Sequence, residues 1–394
     1  MTTPTTTPTK SSTAPSTTGL TQRPGRRYDV VIIGAGIVGL SHAEEAVRAG
    51  MTVAVVERSS RQVGASIRNF GHICLTPQSG PAKELTEQSR QRWLRMSQAA
   101  GFWLRESGTT IVAKRAEELA VLTEYVDSGG DPGRAVLLDA DQVLQRAPVD
   151  PGGVLGGAFL PYDLQVDPRE AGPAVSRWLA TQGVDFYWRT AALGIETGVV
   201  HTGRGSLRAG RIVVATHYDI DELFPAIAEQ AGIVRCRLHM ARVAADLRGP
   251  LATPLFTGWS LLRYSGFTAT SAATALRDRL ASERPDALAL DLNQMYTQRP
   301  DGSLIIGDTH LREVDAPPFQ SEEGFELLLE LTRALFGVPL RVLERWQGIY
   351  ASSPGQEFVV AEPMPGVQVV VVTTGIGMTI GPGLPRLVFD GSSR

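Results

Sequence analysis

The sequence Tyr28-Asp-Val-Val-Ile-Ile-Gly-Ala-Gly-Ile-Val-Gly39 joins a short apolar run to a turn with three regularly spaced glycines. A second apolar run, Thr52–Val56, ends at the acidic residue Glu57. A strand, a glycine-spaced turn, a helix and a second strand closed by a carboxylate form the fingerprint of a dinucleotide-binding unit. The segment therefore predicts a Rossmann-like α/β fold.

Each glycine of this turn meets a different steric demand. Gly34 permits the tight turn, Gly36 lets the backbone approach a pyrophosphate, and Gly39 lets the following helix pack closely on the strand. The N–H groups at the start of that helix, at Ile37 and Val38, then face the anion. The turn is therefore predicted to hold the phosphates of the cofactor.

Glu57 is predicted to accept hydrogen bonds from the adenosine ribose, and its neighbour Arg58 is also predicted to contact the cofactor. A carboxylate at this position repels a 2′-phosphate. NADP is therefore disfavoured, whereas FAD and NAD both stay open.

The bulk composition excludes several classes of protein. The 394 residues carry 38 Lys and Arg against 41 Asp and Glu, a formal net charge of −3, so no overall positive field favours nucleic acid or an anionic membrane. No apolar run has the length of a membrane span, and residues 1–27, rich in Thr, Ser and Pro, predict a disordered leader. Two cysteines, Cys74 and Cys236, are too few for a disulfide framework, and a cytoplasmic location is expected.

The chain is predicted to fold as two interleaved domains. Residues 28–85, 145–232 and 340–394 are assigned to the α/β cofactor domain. Alternating apolar residues are typical of an antiparallel sheet with one packed face. They assign 86–144 and 233–339 to an α+β substrate domain built on a mostly antiparallel sheet.

Three local patterns carry more detailed predictions. The apolar runs Leu119–Leu122 and Trp259–Thr268 are interpreted as strands of the second sheet. Asp167 followed by Pro168 predicts an N-cap with proline in the first turn, and hence a helix that begins there.

Five further segments accompany the fingerprint: Gly64-Ala-Ser-Ile-Arg-Asn-Phe-Gly71, Ile212-Val-Val-Ala-Thr216, Arg299-Pro-Asp-Gly302, Ile305-Ile-Gly307 and Thr374-Gly-Ile-Gly377. With them the chain resembles the FAD-dependent D-amino-acid oxidase family, which includes glycine oxidase and sarcosine oxidase. The resemblance extends from about Tyr28 to Leu384. It implies a glutathione-reductase-type FAD domain and FAD as the cofactor.

The resemblance also implies where the flavin lies. The loop around Ser66 and Asn69 lines the flavin, and the C-terminal glycine turn places a helix start beneath its pyrimidine end. A positive helix end there stabilises the anionic reduced ring. The implied contacts outside the fingerprint are Ser66, Asn69, Gly71, His72, Ala215, Thr216, Gly375, Ile376, Gly377, Met378 and Thr379.

Two segments, Ala65-Ser-Ile-Arg-Asn-Phe-Gly71 and Cys236-Arg-Leu-His-Met-Ala-Arg242, are most similar to FAD oxidoreductases associated with phosphonate breakdown. That resemblance implies oxidation of a small aminophosphonate related to 2-aminoethylphosphonate, by hydride transfer to flavin, with oxygen or another acceptor. A D-amino-acid, glycine or sarcosine oxidase is the alternative enzyme. A flavin-binding interaction subunit without turnover, and more remotely a nicotinamide dehydrogenase, also stay open.

The chemistry of amine oxidation points to few side chains. A neutral amine releases hydride more readily than an ammonium ion, so His72, directly after the flavin loop, is the candidate catalytic residue. A structural histidine, or a covalent flavin link through His72 or Cys74, is the alternative. An anionic substrate needs a cation with fixed geometry, which Arg68 or Arg263 can provide. Arg68 could instead pair with the cofactor or with a carboxylate, and Arg263 could be a solvent-exposed residue of the antiparallel sheet.

Other candidate substrate contacts come from the predicted antiparallel sheet and from the domain junction. They are His239, Trp259, Tyr264, Tyr296, Gln298 and Trp346, with Gln347 beside the last. His217 is expected to shape a loop. The six histidines are scattered without the spacing of a ligand set, so no metal is expected.

Overall fold

The computed structural model describes residues 26–128 and 133–389. The predicted leader therefore lies outside the described residues, except for Arg26 and Arg27.

The opening apolar run forms the strand Arg27–Ile33 at the centre of an eight-stranded sheet. It runs parallel to Val53–Val56 on one side and to Gly205–Val214 on the other. Val53–Val56 is buried along its whole length, as expected for a parallel strand covered on both faces. The other strands of this sheet are Asp185–Tyr187, Ala192–Glu196, Val199–Thr202, Phe358–Met364 and Val367–Val372.

Three long helices pack with this sheet. Ile37–Arg48 follows the glycine turn, and Gly80–Ala100 is joined to it by Arg92, whose Nε donates to Glu44 Oε2 at 2.7 Å. The third helix, Pro168–Thr181, begins where predicted, since the Asp167 carboxylate accepts from the Arg169 N–H at 2.9 Å.

The second sheet has nine strands and is antiparallel, apart from one parallel pair between Thr109–Ala113 and Leu255–Phe256. Its long strands Val234–Ala245 and Leu340–Ser352 pair along their whole length. The others are Val136–Asp139, Gly156–Leu160, Met295–Gln298, Leu304–Gly307 and Leu311–Glu313. The two sheets confirm the predicted fold class, a Rossmann-like α/β unit with a mostly antiparallel second sheet.

A small sheet of His72–Ile73, Leu164–Val166 and Leu104–Arg105 completes the strands. The remaining α-helices are Ala116–Ser128, Ala140–Arg146, Ile220–Leu223, Pro225–Gln230, Gly258–Leu261, Ser265–Thr268, Ala273–Glu283, Pro285–Ala289, Glu322–Phe336, Gly377–Ile380 and Pro385–Phe389. Short 3-10 turns cover Ala65–Ile67, His217–Asp219 and Gly381–Gly383. In the described ranges, every helix is too short or too polar to cross a bilayer.

Two predicted strands are wrong. Leu119–Leu122 lies in the helix Ala116–Ser128, where Val121 and Leu122 face the core. Trp259–Thr268 forms two short helices, Gly258–Leu261 and Ser265–Thr268, that lie beside the second sheet. Short apolar runs suit a buried helical turn as well as a strand, and tertiary packing decides between them.

The domain ranges stay a prediction, but sheet membership bears on them. The strands Gly156–Leu160 and Leu340–Ser352 belong to the second sheet, although both fall within ranges assigned to the cofactor domain. The chain therefore passes from one sheet to the other within these two predicted ranges.

Candidate functional site

The glycine turn has the steric limits expected from the sequence. Gly34 has φ of 104°, and a Cβ there would lie 2.5 Å from the Ala215 carbonyl oxygen. A Cβ on Gly39 would lie 2.0 Å from the Gly34 carbonyl oxygen. The helix start is therefore pressed against the turn, and Ile37 N–H donates to Ser66 Oγ at 2.9 Å.

Glu57 stands at one end of the turn. Its two carboxylate oxygens accept from the Ala35 N–H at 3.0 Å and the Ser59 N–H at 2.9 Å. Each oxygen keeps a second lone pair, which leaves Glu57 able to accept from a ribose hydroxyl. Arg58 pairs with Asp219 at 2.5 Å, so its charge is already matched at this edge.

One cavity runs from Glu57 past the glycine turn to the second sheet. Of the predicted cofactor contacts, Gly39 and Gly71 lie behind its wall, and Gly71 packs against the Val166 carbonyl. The predicted contacts that line the cavity are Gly34, Gly36, Ile37, Val38, Glu57, Arg58, Ser66, Asn69, His72, Ala215, Thr216, Gly375, Ile376, Gly377, Met378 and Thr379.

Four side chains that line this cavity carry a buried polar atom without a hydrogen-bond partner among the described residues. They are His72 Nδ1, Thr216 Oγ1, Asn293 Oδ1 and Thr374 Oγ1. Buried polar groups in folded proteins are almost always bonded, so these atoms indicate a ligand. A Cβ added at Gly377 would meet no described neighbour within 4 Å, which leaves room beside the C-terminal turn. The glycine cradle and the unpaired atoms together fit FAD.

His72 is buried and held by a short chain of hydrogen bonds. Its Nε2 lies 2.6 Å from Thr109 Oγ1, which donates to Asp163 Oδ2 at 2.7 Å. Because the single hydroxyl proton of Thr109 goes to the carboxylate, Thr109 accepts from Nε2–H. The other ring nitrogen, Nδ1, has no partner among the described residues, and it is an acceptor when the ring is neutral. The ring packs edge-on against Phe256.

Donor atoms of His72, Cys74 and Asp163 lie within 4.8 Å of one another, a spacing that a metal ion could bridge. The Asp163 carboxylate already accepts from Leu75 N–H, Thr76 N–H and two threonine hydroxyls. Burial, and secondly Asp163, raise the pKa of the Cys74 thiol well above its usual value, which disfavours the thiolate that metals require. The prediction of no metal stays a prediction.

Arg263 and Tyr350 form the far wall of the cavity. Arg263 Nη2 donates to the Tyr350 hydroxyl and lies 3.5 Å from the Thr374 carbonyl, while Nη1 lies 3.7 Å from Asp291 Oδ2. Burial alone lowers the pKa of Arg263, but Tyr350 and the nearby carboxylates raise it above its usual value. The ring of Tyr350 would lie 3.0 Å from a Cβ on Gly375, so it also supports the C-terminal turn.

The predicted substrate contacts divide into two groups. Arg68, Arg263 and Tyr264 line the cavity, as His72 does, although Arg263 follows a short helix rather than lying on the sheet. Arg68 Nη1 reaches the Gln347 carbonyl at 3.5 Å. Outside the cavity lining are His239, Trp259, Tyr296, Gln298 and Trp346.

Packing explains why these five residues lie elsewhere. The ring nitrogens of His239 are bonded to Thr309 Oγ1 at 2.7 Å and to the Ser321 carbonyl at 3.0 Å. Gln294 donates to the Tyr296 hydroxyl at 2.8 Å, and both Tyr296 and Trp259 are core residues.

Gln298 and Trp346 are bonded to backbone groups instead. The Gln298 amide oxygen accepts from Leu251 N–H at 2.8 Å, and Trp346 Nε1–H donates to the Arg68 carbonyl at 3.1 Å. His217 has φ of 63°, and its Nε2 accepts from Ala351 N–H at 3.1 Å, an arrangement that suits the loop-shaping role.

Sequence reasoning missed several polar residues of the cavity, among them Asn293, Asp308, His310 and Tyr350. Asp308 directly follows the strand Leu304–Gly307, and His310 lies two residues further along. Asn293 lies two residues before the strand Met295–Gln298. Polar residues at the ends of adjacent strands were the available signal.

Comparisons with known proteins agree with this geometry. A family model described as FAD dependent oxidoreductase (DAO) matches residues 29–390. Glycine oxidase of Bacillus licheniformis is 26% identical over 213 residues, which cover 51% of this chain and 57% of that protein. D-amino acid dehydrogenase of Helicobacter pylori is 23% identical over 249 residues, 48% of this chain and 60% of that protein. The chain thus spans less than two thirds of the length of these relatives.

A solved structure of glycine oxidase from Geobacillus kaustophilus has a TM-score of 0.74 at 21% identity and covers 92% of this chain and 94% of that one. This likeness supports the fold. The family match extends over nearly all the described residues, and it confirms FAD as the cofactor. The chain belongs to the DAO family of FAD-dependent oxidoreductases.

Proposed function

We propose that this protein oxidises a small amine that also carries an anionic group. The observation that carries the proposal is Arg263, a charged side chain that lies in the wall of the same cavity as the glycine turn. A guanidinium has five N–H donors, and its contacts to Tyr350, Thr374 and Asp291 engage at most three of them. Arg263 therefore keeps donors for an anion.

The anion is the open part of the proposal. An aminophosphonate related to 2-aminoethylphosphonate is the first choice, on the resemblance of the segments around Ala65–Gly71 and Cys236–Arg242. A carboxylate substrate, such as glycine, sarcosine or a D-amino acid, fits the same arginine equally well, because Arg binds carboxylate and phosphonate oxygens with the same fork. The names of the curated relatives favour this second choice.

FAD, when bound, accepts the hydride from the carbon that bears nitrogen. The residues of this chain orient the amine, exclude water and hold protons. His72 remains the candidate catalytic residue of the sequence analysis, since its Nδ1 has no partner among the described residues and can form a hydrogen bond with substrate or flavin. Arg68, which lines the cavity near Gln347, is the second candidate cation.

Oxygen uptake with a small panel tests the proposal: 2-aminoethylphosphonate, its N-methyl derivative, glycine, sarcosine and D-alanine. Turnover of the two phosphonates well above the three carboxylates supports the aminophosphonate choice, and the reverse order supports the amino-acid choice. When enzyme and amine are mixed without oxygen, loss of the flavin absorbance shows that the flavin is reduced. This measurement detects the reaction even if the natural electron acceptor is not oxygen.

A flavin that never bleaches with any of these amines would contradict the proposal and favour an interaction subunit without turnover. Oxygen as the acceptor and the cytoplasmic location belong to the same proposal. Fractionation of the producing cells tests the location.

A further inference from the structure

Asn293 and Asp308 lie side by side in the lining of the cavity, which Arg263 also lines. Their backbones exchange two hydrogen bonds, Asn293 N–H to the Asp308 carbonyl at 2.8 Å and Asp308 N–H to the Asn293 carbonyl at 2.7 Å. The Asn293 amide Nδ2 also donates to Asp308 Oδ1 at 3.0 Å. Only 4% of Asn293 and 5% of Asp308 is exposed, so this pairing fixes both side chains in the wall.

These bonds leave an acceptor free on each of Asn293, Asp308 and His310. With Nδ2 facing the carboxylate, the other amide atom of Asn293, Oδ1, has no partner among the described residues. His310 Nδ1–H donates to the Asp291 carbonyl at 2.7 Å, so Nε2 of His310 is also a bare acceptor. That Nε2 lies 3.6 Å from Asp308 Oδ2. Asn293, Asp308 and His310 thus form a buried corner with three acceptors, here called the acceptor corner.

A buried corner of acceptors requires a ligand that brings donors. An ammonium group has three N–H donors and no acceptor, and it carries the charge that a carboxylate stabilises. Arg263, on the same cavity wall, offers the complementary group for an anion. The cavity is therefore lined by both a cation and a carboxylate, as a zwitterionic substrate requires.

We propose that the acceptor corner binds the substrate ammonium and that Asp308 takes its proton before hydride transfer. This inference rests on the proposed function and identifies the substrate as a zwitterion. In the step an N–H bond of the ammonium breaks, an O–H bond forms on Asp308, and the electron pair stays on nitrogen. His310 Nε2 can then accept a hydrogen bond from the new hydroxyl.

The titration of the groups agrees with this role. Burial raises the pKa of Asp308 to about 7, although Arg263 and Asn293 lower it. Burial, and secondly Arg263, lower the pKa of His310 well below its usual value, so the ring stays a neutral acceptor. The charged and titratable groups that act on Asp308 and His310 are Arg263, Tyr264, Cys236, Asp291, Arg312 and Tyr350.

The sign of the pH effect follows. A carboxylate must be ionised to take a proton, so kcat/KM is expected to rise as pH passes through about 7. Asp308→Asn removes the base and keeps the shape. We expect its kcat/KM to fall by on the order of 100- to 10,000-fold, the range of a general base, and the ascending limb near pH 7 to disappear.

The test uses the FAD-bound protein and two probes, methylammonium and acetate, titrated by calorimetry. Asp308→Asn is expected to bind methylammonium on the order of 10- to 100-fold more weakly, as hydrogen bonds to charged groups contribute that much, and acetate unchanged. Asp278→Asn, on the exposed face of Ala273–Glu283, is the matched control and should behave as wild type.

Equal methylammonium affinity in wild type and Asp308→Asn, or an unchanged ascending limb, would overturn the inference. If Asp308→Asn does not retain flavin, Asn293→Ala replaces it, with about 10-fold weaker methylammonium binding expected and unchanged binding counting against the acceptor corner. If no amine bleaches the wild-type flavin, the proposed function fails, and the methylammonium titration still decides whether the corner binds ammonium.

Discussion

The cavity has a cofactor end, at the glycine turn, and an amine end, at Arg263 and the acceptor corner, and the two are lined by different kinds of groups. At the cofactor end the wall depends on backbone shaped by glycines such as Gly34 and Gly36, with side chains such as Glu57 and Ser66 beside it. At the amine end the wall is side chains, with Arg263 and the acceptor corner supplying charge. An added side chain blocks cofactor binding at the first end, whereas removal of a charged side chain weakens substrate binding at the second. Mutations of the two kinds can therefore separate cofactor binding from substrate binding.

The largest effect is expected from Gly39→Ala at the cofactor end. The new Cβ would lie 2.0 Å from the Gly34 carbonyl oxygen, and only backbone movement relieves that overlap. We expect loss of bound FAD and destabilisation by about 3 kcal/mol or more. Flavin absorbance per protein and the melting temperature measure both. Gly249→Ala, where a Cβ meets nothing within 4 Å, is the control, and equal values in the two variants would contradict the prediction.

Arg263→Met is the next largest change, at the amine end. Removing one partner of a buried hydrogen-bonded charge pair costs about 2–5 kcal/mol, so KM for an anionic amine should rise at least 30-fold. FAD content should change far less than KM, because Arg263 reaches the cofactor end only through Tyr350. Arg277→Met, on an exposed helix face, is the control. An unchanged KM would show that another group, with Arg68 the first choice, holds the anion.

His72→Asn tests whether His72 or the acceptor corner takes the proton of the substrate. His72 can form one hydrogen bond through Nδ1, whereas the acceptor corner can form three. Loss of the single bond should lower kcat by about 10-fold, roughly the contribution of one hydrogen bond to a charged group. The ascending limb near pH 7 should survive in His72→Asn. If instead that limb disappears from the pH profile, His72 takes the proton and Asp308 does not.

Gly377→Ala is expected to give the smallest effect. Its Cβ would project into the cavity without meeting a described neighbour within 4 Å, so only bound flavin would feel it. We expect FAD to bind more weakly by about 1 kcal/mol, with an unchanged melting temperature of the flavin-free protein. A fluorescence titration of flavin-free protein with FAD measures this, and unchanged affinity would place the flavin away from Gly377.

The same contrast explains what the sequence could predict. The glycine turn was found because its steric demands are local and leave a spacing that can be counted. Asp308 was missed because its role depends on pairing with Asn293, 15 residues away, and on His310, neither of which has a motif. His239 was predicted in the cavity, but Thr309 and Ser321, 70 and 82 residues away, take both of its ring nitrogens. Contacts at such separations are set by the fold, and no pattern in one sequence reveals them.

Tyr350 joins the two ends, since its ring supports the Gly375 turn while its hydroxyl contacts Arg263. Any anion that repositions Arg263 acts through Tyr350 on the turn that lines the cofactor end. Occupancy of the two ends should therefore be thermodynamically linked, and linkage is reciprocal: an anion that raises the affinity for FAD must have its own affinity raised by FAD to the same degree. In practice, a substrate analogue in the buffer would alter how much flavin the protein retains through purification.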